Sequence, residues 1–443
     1  MKIASAVAAG AALVVLAIAP PAAAQQRYEP SPQRRPPSPI TGRVITMDEA
    51  VAISLDYQPL IAARLGDYAA ARYRVDQALS PLLPQLTGSW QAARAQGVTP
   101  RTGFDTGPRI QGFGDTMVAR VSLSQLLFDF GKTLAGTEAQ RKLADVAAED
   151  VELQRQLLAL AVKEAYTNIL FAQRLIRVQE QALQRAELNL RSARGFFDVG
   201  TRPKSDVARA EVDVANARVD LIRARNAERL ARVALNTAMG IGVDTPLQVQ
   251  DNLVREPITI DRLAARADAL EQRPEHRQSR LRVAASEAAE RQAFRNFFPD
   301  VTAGASYGAA RSDFSEIWEL NLALTWTFYD GGGRIARWRE SKATVEADVA
   351  RVKASALDIV REVEQAVYLV EESSERIDAA QVAVNSAQEN FRLAQGRFDA
   401  GVGTILELTD AQLALTVAQN QETQALADYR IALYRLDRAR GRR

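Results

Sequence analysis

The chain has 443 residues, of which 47% are hydrophobic and 25% charged, so nothing in its composition points to disorder. Its 56 basic and 54 acidic residues leave a net charge of +2, which gives no electrostatic reason to expect a nucleic-acid partner. With no cysteine, disulfides, thiolate metal sites, a cysteine nucleophile and an N-terminal lipid anchor are excluded; a single histidine, His276, removes the usual participants in metal clusters and acid–base catalysis. His276 sits between Arg273 and Arg277 and reads as a surface helix residue.

The chain opens with Lys2, an apolar run from Ile3 to Ala19, and the small residues Ala22-Ala23-Ala24. That is the pattern of a secretory leader, predicted over residues 1–24. No later stretch is apolar for long enough to make a membrane helix, so any membrane passage of the exported chain is expected in strands. A proline-rich segment follows (25–45), which reads as an extended tether.

The remainder is written twice, over residues 46–258 and 259–443. Pro59 follows an apolar-periodic helix and Pro274 follows another, and Leu83-Pro84 recurs as Phe298-Pro299 at the same offset. Further on, Phe128-Asp129-Phe130-Gly131-Lys132 is echoed by Tyr329-Asp330-Gly331-Gly332-Gly333, and Phe197-Asp198-Val199-Gly200 by Phe398-Asp399-Ala400-Gly401. Each half runs helix, strand, loop, strand, very long helix, tight turn, long helix.

Strands are predicted over about 85–95 and 116–128 in the first half, and about 300–309 and 317–328 in the second. The last is the clearest: Trp318, Leu320, Leu322, Leu324, Trp326 and Phe328 alternate with small or polar residues. Met117, Ala119, Val121 and Leu123 form the matching face in the first half. Trp326, Phe328 and Tyr329 gather at one strand end as an interfacial aromatic belt would, and the segment Gln96 to Gly114 reads as a long outer loop. Lipid outside and water inside is the favoured reading. Four strands cannot close a barrel, and an open edge in lipid leaves backbone groups unpaired. The strands must then be pooled among subunits, with arithmetic permitting two, three or four chains.

From Lys132 to Arg194 there is no proline and one glycine, Gly136. As helix, this run spans roughly 95 Å. Beyond the tight turn, Val207, Val214 and Leu221 recur every seven residues with Ala210, Ala217 and Ala224 three places on; Leu408, Leu415, Ala411, Ala418, Ala425 and Ala432 repeat the pattern. Such heptads mark a coiled-coil seam.

The duplicated strand-to-helix turns (Asp129, Gly131; Asp330, Gly332) and helix-tip turns (Phe197 to Thr201; Phe398 to Thr404) resemble those of the TolC-type outer membrane efflux protein family over nearly the whole exported chain. The resemblance implies a mainly α fold with a membrane β-barrel portion: a trimer with four strands per chain in a twelve-stranded barrel, and long helices forming a periplasmic barrel. It implies an exit duct for efflux or type I secretion, lipid contact in the outer membrane, docking onto a periplasmic adaptor (membrane fusion) protein, and an inner-membrane RND or ABC transporter as pump. No cofactor, metal or enzymatic activity is expected.

The resemblance also implies a periplasmic gate of carboxylates at Asp206, Glu407 and Asp410, and adaptor contacts at Val199, Gly200, Thr201, Gly401, Gly403 and Thr404. Thr404 and Glu407 have the spacing of a capping box, a competing role for Glu407, whereas Asp410 lies a turn further in. Gly200, Gly401 and Gly403 read as turn positions needing positive φ. Where a family member has a tyrosine and an arginine bonded to the neighbouring hairpin, this chain has Phe398 and Gly403, neither expected to make a charged bond; Arg202 or Lys204 is the candidate replacement. Two rivals stand beside this reading. A soluble periplasmic coiled-coil scaffold would also carry long hairpins. A nucleotide-binding enzyme would need more than Gly331-Gly332-Gly333-Arg334, which lacks the Gly-Lys-Ser/Thr ending.

Overall fold

The structure is a computed structural model that describes residues 42–99, 109–256, 258–311 and 315–442. The predicted leader, nearly all of the proline-rich segment and the middle of the first strand loop lie outside the described residues. In chain order the elements are β1 (Val44–Ile45), α1 (Met47–Tyr57), α2 (Pro59–Leu79), β2 (Gln85–Thr99), β3 (Arg109–Phe128), α3 (Lys132–Asp198) and α4 (Lys204–Met239). Then come β4 (Gln248–Val249), α5 (Arg262–Gln272), α6 (Pro274–Arg295), β5 (Asp300–Arg311), β6 (Ser315–Thr325), α7 (Gly333–Asp399) and α8 (Ile405–Ala439).

Local chemistry sets the boundaries. Thr46 and Glu49 form a reciprocal capping box on α1, satisfying two of the amides a helix start leaves open. Pro59 and Pro274 each stand in the first turn of a helix, where a missing N–H carries no penalty. At the strand-to-helix turn, the Gly131 and Thr133 amides donate to the Asp129 carboxylate at 3.0 and 2.7 Å. The Arg334 amide donates to Asp330 at 2.9 Å in the second copy. Gly131, Gly331 and Gly332 have φ of 78°, 69° and 86°, so the glycine run is a left-handed turn into α7.

The four long strands form one antiparallel sheet in the order β2-β3-β5-β6. The two repeats therefore meet at β3–β5, and among the described residues β2 and β6 are the edge strands. The register places Trp90 opposite Ala119, Leu86 opposite Leu123, and Tyr307 opposite Trp318, so the apolar alternates share one face. Trp318, Leu320, Leu322 and Leu324 are each 65% or more exposed, so no described residue of this protomer covers that face.

Several strand boundaries differ from expectation. β2 and β3 continue to Thr99 and from Arg109 through a bulge between Gln96 and Val98, shortening the expected loop; glycine and polar residues hid the alternation there. β6 ends at Thr325, not Phe328, because Thr325 already pairs with Asp300, the first residue of β5. Trp326 turns away and donates its indole N–H to the Phe297 carbonyl at 3.1 Å, and its ring lies 4.6 Å from that of Phe328.

The helices hold three apolar cores. One is centred on α3, where Tyr166 is fully buried with Val162, Ile169, Leu235 and Met239. The Tyr166 hydroxyl lies 2.9 Å from the carbonyls of both Ile45 and Gln250 and accepts the Gln250 amide at 2.8 Å, fastening the parallel β1–β4 pair to α3. A second core joins α5, α7 and α8, and a third lies at the hairpin tips. Beside the second, Arg273 (2% exposed) donates to Glu275 at 2.7 Å and Glu362 at 2.6 Å. Burial would raise the Glu275 carboxyl, but the hydrogen bond and charge of Arg273, with Arg438 beyond, hold it below its usual value. His276 is half-buried on α6, not at the surface as expected. No described helix is long and apolar enough to cross a membrane.

Candidate functional site

The two helix hairpins, α3–α4 and α7–α8, end in turns that pack against each other. In the first, Gly200 takes φ 74°, and the amides of Gly200 and Thr201 donate to the carbonyls of Phe197 and Phe196. In the second, Gly401 takes φ 77°, and Val402 and Gly403 both donate to the Arg397 carbonyl. Gly403 does not have the positive φ expected of it. Space is what excludes a side chain there: a Cβ would stand 2.9 Å from the Phe398 nitrogen and 3.0 Å from the Arg397 carbonyl carbon.

Phe398 is fully buried in this turn, edge-on to Phe196 at 5.7 Å, with Ile405, Leu408 and Ala411 completing the cluster. Burial of Leu408, Ala411, Leu415, Ala418, Ala425 and Ala432 shows the α8 seam in place, whereas Val207, Val214 and Ala217 of the α4 seam are only half-buried.

At the tip turns a cation joins the hairpins. The Arg202 guanidinium donates to the Gly403 carbonyl at 2.7 Å and lies 4.4 Å over the Phe398 ring, 3.6 Å from the Asp206 carboxylate. This corrects the expectation that Phe398 and Gly403 cannot take part in a charged contact: the ring face and the carbonyl both accept the cation. Of the two candidate replacements it is Arg202, not Lys204, that the structure brings to this position.

The three gate candidates stand differently. Asp206 is paired with Arg202, and both side chains are nearly buried. Glu407 is half-exposed and lies 3.6 Å from Arg397. Its amide is capped by the Thr404 hydroxyl at 3.2 Å, but its carboxylate does not return to the Thr404 amide, so half of the expected capping box forms. Asp410 is exposed, and its carboxylate has no ion-pair or hydrogen-bond partner among the described residues. Next to it, the Thr409 hydroxyl donates to Asp213 of α4 at 2.9 Å and Asn189 of α3 donates to Gln412 at 2.6 Å, further ties between hairpins that the spacing of residues did not announce. Among the described residues no group of three or more His, Asp or Glu side chains could hold a metal ion.

A sheet with an uncovered apolar face and two open edges, continued by two long helical hairpins, defines a subunit of an outer-membrane export channel. Comparison with known proteins agrees. The family model "Outer membrane efflux protein" matches residues 53–241 and 265–442, one segment in each repeat. The alkaline protease secretion protein AprF of Pseudomonas aeruginosa is 26% identical, covering 87% of this chain and 82% of its own. The outer membrane efflux protein BepC of Brucella suis is 26% identical over 82% and 78%. Among solved structures, the outer-membrane channel OprN superposes with a TM-score of 0.77 at 21% identity, covering 89% of each chain; CusC gives 0.77 at 17%, covering 90% and 92%.

The chain belongs to the outer membrane efflux protein family. It is a non-enzymatic outer-membrane efflux channel protein, and the soluble-scaffold reading is set aside.

Proposed function

We propose that three copies of the chain pool their strands into a twelve-stranded barrel, with the hairpins continuing it as a duct into the periplasm. A periplasmic adaptor docks on the tip turns at Val199, Gly200, Thr201, Gly401, Gly403 and Thr404 and links the duct to an inner-membrane RND or ABC transporter. The observation that carries this reading is the position of β2 and β6 as the two edge strands of the sheet, beside an apolar face that no described residue covers. In lipid such edges demand partners, and only closure removes them. Mass measurement in mild detergent tests the number of chains; three are expected, and a stable monomer inserted in lipid sinks the assembly.

The relatives divide by name between alkaline protease secretion and toluene efflux, so cargo follows the pump and not this duct. At the tip, Asp410 is the carboxylate left to act on passing ions, since Asp206 and Glu407 each face an arginine. Threefold symmetry would set three copies around the axis, where narrow space weakens screening. Asp410→Asn should lower cation selectivity and cation block of single channels in planar bilayers while the oligomer stays intact. Unchanged conduction would remove the carboxylate from the gate.

A further inference from the structure

The face of the sheet opposite Trp318 and Leu320 is small and polar, and it contains one arrangement that the fold does not need. Across the rows from Gln85 to Gln91 on β2 and Val118 to Leu126 on β3, with the β5 and β6 residues paired to them, the only formal charges on this face among the described residues are Arg120 and Glu319. They are two strands apart, on β3 and β6. Neighbouring strands lie about 4.8 Å apart, so roughly 10 Å of sheet separates the two backbones. Yet Arg120 Nη1 stands 3.9 Å from Glu319 Oε2.

Strand β5 lets this happen. Opposite Arg120 is Gly308, and opposite Glu319 is Ser306, so the arginine stem crosses over a residue with no side chain. Gly308 has no room for one: a Cβ there would collide with the Ala119 carbonyl oxygen and stand 2.9 Å from the Arg120 Cα. The pair is 40% and 58% exposed, and exposed pairs contribute little to stability. Charges on the lipid face of a membrane strand are destabilising, whereas charges on the inner face tune what passes.

We propose that Arg120 and Glu319 form a charge pair in the lumen that keeps the barrel section of the duct electrically balanced and determines its ionic selectivity. This rests on the closed-barrel reading above. Twelve strands about 4.8 Å apart and tilted near 40° give a radius of roughly 12 Å, so an extended arginine head lies within about a Debye length of the axis. Removing one partner leaves three like charges around the lumen, and removing both restores balance.

The test is the cation-over-anion permeability ratio of single channels under a potassium chloride gradient. Glu319→Gln should lower it about twofold and Arg120→Gln raise it about twofold, while the double variant returns to the parent value. A ratio that moves with neither substitution, or in the same direction with both, overturns the proposal. A second readout does not depend on those variants assembling. Because the chain has no cysteine, Ser306→Cys offers a unique thiol on the same face. A cationic impermeant thiol reagent should lower the ratio there and an anionic one raise it, with Ala305→Cys on the opposite face unresponsive; no response at position 306 also overturns the pairing. Mass in mild detergent is read on the same samples. A parent protein that is not an oligomer refutes the barrel itself, whereas an intact trimer with an unmoved ratio refutes only the assignment of this pair.

Discussion

Helices α3 and α7 have the same length, 67 residues, and start from equivalent left-handed glycines, but they live in different surroundings. α3 is buried almost from its start, at Ala135, Gly136, Thr137, Ala139 and Ala144; α7 has no buried residue before Ile359. The difference comes from their neighbours. α3 takes α2 along one side and α6 along another, with α6 so close that a Cβ on Gly136 would stand 2.6 Å from Gln292 Nε2. That explains a glycine near the start of a helix, where glycine is otherwise costly. Duplication copied the helix, but only one copy was given a complete set of partners within the chain. The first third of α7 is surface that an assembly can use.

The largest expected break in this comparison lies where α7 does become buried. Arg273→Ala would leave Glu275 and Glu362 with Arg438 alone as their shared cation, at a cost of about 3 kcal/mol, the low end for a broken buried pair, read as a lower thermal denaturation midpoint. The same cluster predicts a pH response. Because the folded Glu275 carboxyl is held below its usual value, its contribution is complete above the unfolded value near 4.5 and is lost as pH falls through the folded one. Glu275→Gln should flatten that acid limb of the stability profile; an unchanged limb would assign it to other carboxylates.

A smaller effect sharpens the helix comparison directly. Ala135 on α3 is buried and Ala336, its counterpart 201 residues on, is exposed. Ala135→Leu should cost about 1–3 kcal/mol through overpacking. Ala336→Leu should stay within about 0.5 kcal/mol. Equal losses in the assembled protein would show that a second chain covers α7 as tightly as α2 and α6 cover α3.

The most local effect belongs to the tips. Arg202→Ala removes a charge-assisted hydrogen bond and a cation–ring contact together, about 2 kcal/mol of local stability. Amide exchange at Gly403 and Thr404 should rise, and Arg202→Lys should recover part of the protection. Protection unchanged in Arg202→Ala would mean that the Phe196–Phe398 packing alone holds the hairpins together.

What could be read from the sequence was whatever repeats. Alternation in β6, the heptads of α8 and the two aspartate–glycine turns are periodic or duplicated, and each appears in the structure where its residues placed it. What escaped was pairwise. Two residues at β1 and two at β4 are too few to show a period, and they pair only because Tyr166 brings distant segments together. Gly403 looks like any turn glycine until the Arg397 and Phe398 backbone closes on it. Glu407 had the right spacing for a capping box, and nothing local revealed that Arg397 would compete for its carboxylate. The ends of β2 and β6 were misjudged for the same reason: a strand stops where its partner stops, and the partner is elsewhere in the chain.

The order β2-β3-β5-β6 also amounts to a rule of growth. At the β3–β5 joint, the last strand of one hairpin accepts the first strand of the next. The free edge of β6 presents the same offer, and the free edge of β2 is the element that answers it. In the proposed assembly, joining one copy to another would therefore be head to tail, a heterologous contact that repeats the internal joint without a covalent link. Such a contact contains no instruction to stop. Only the angle between successive copies decides whether growth ends in a ring or continues as a filament, so residues that set the twist of these strands count subunits without touching any of them.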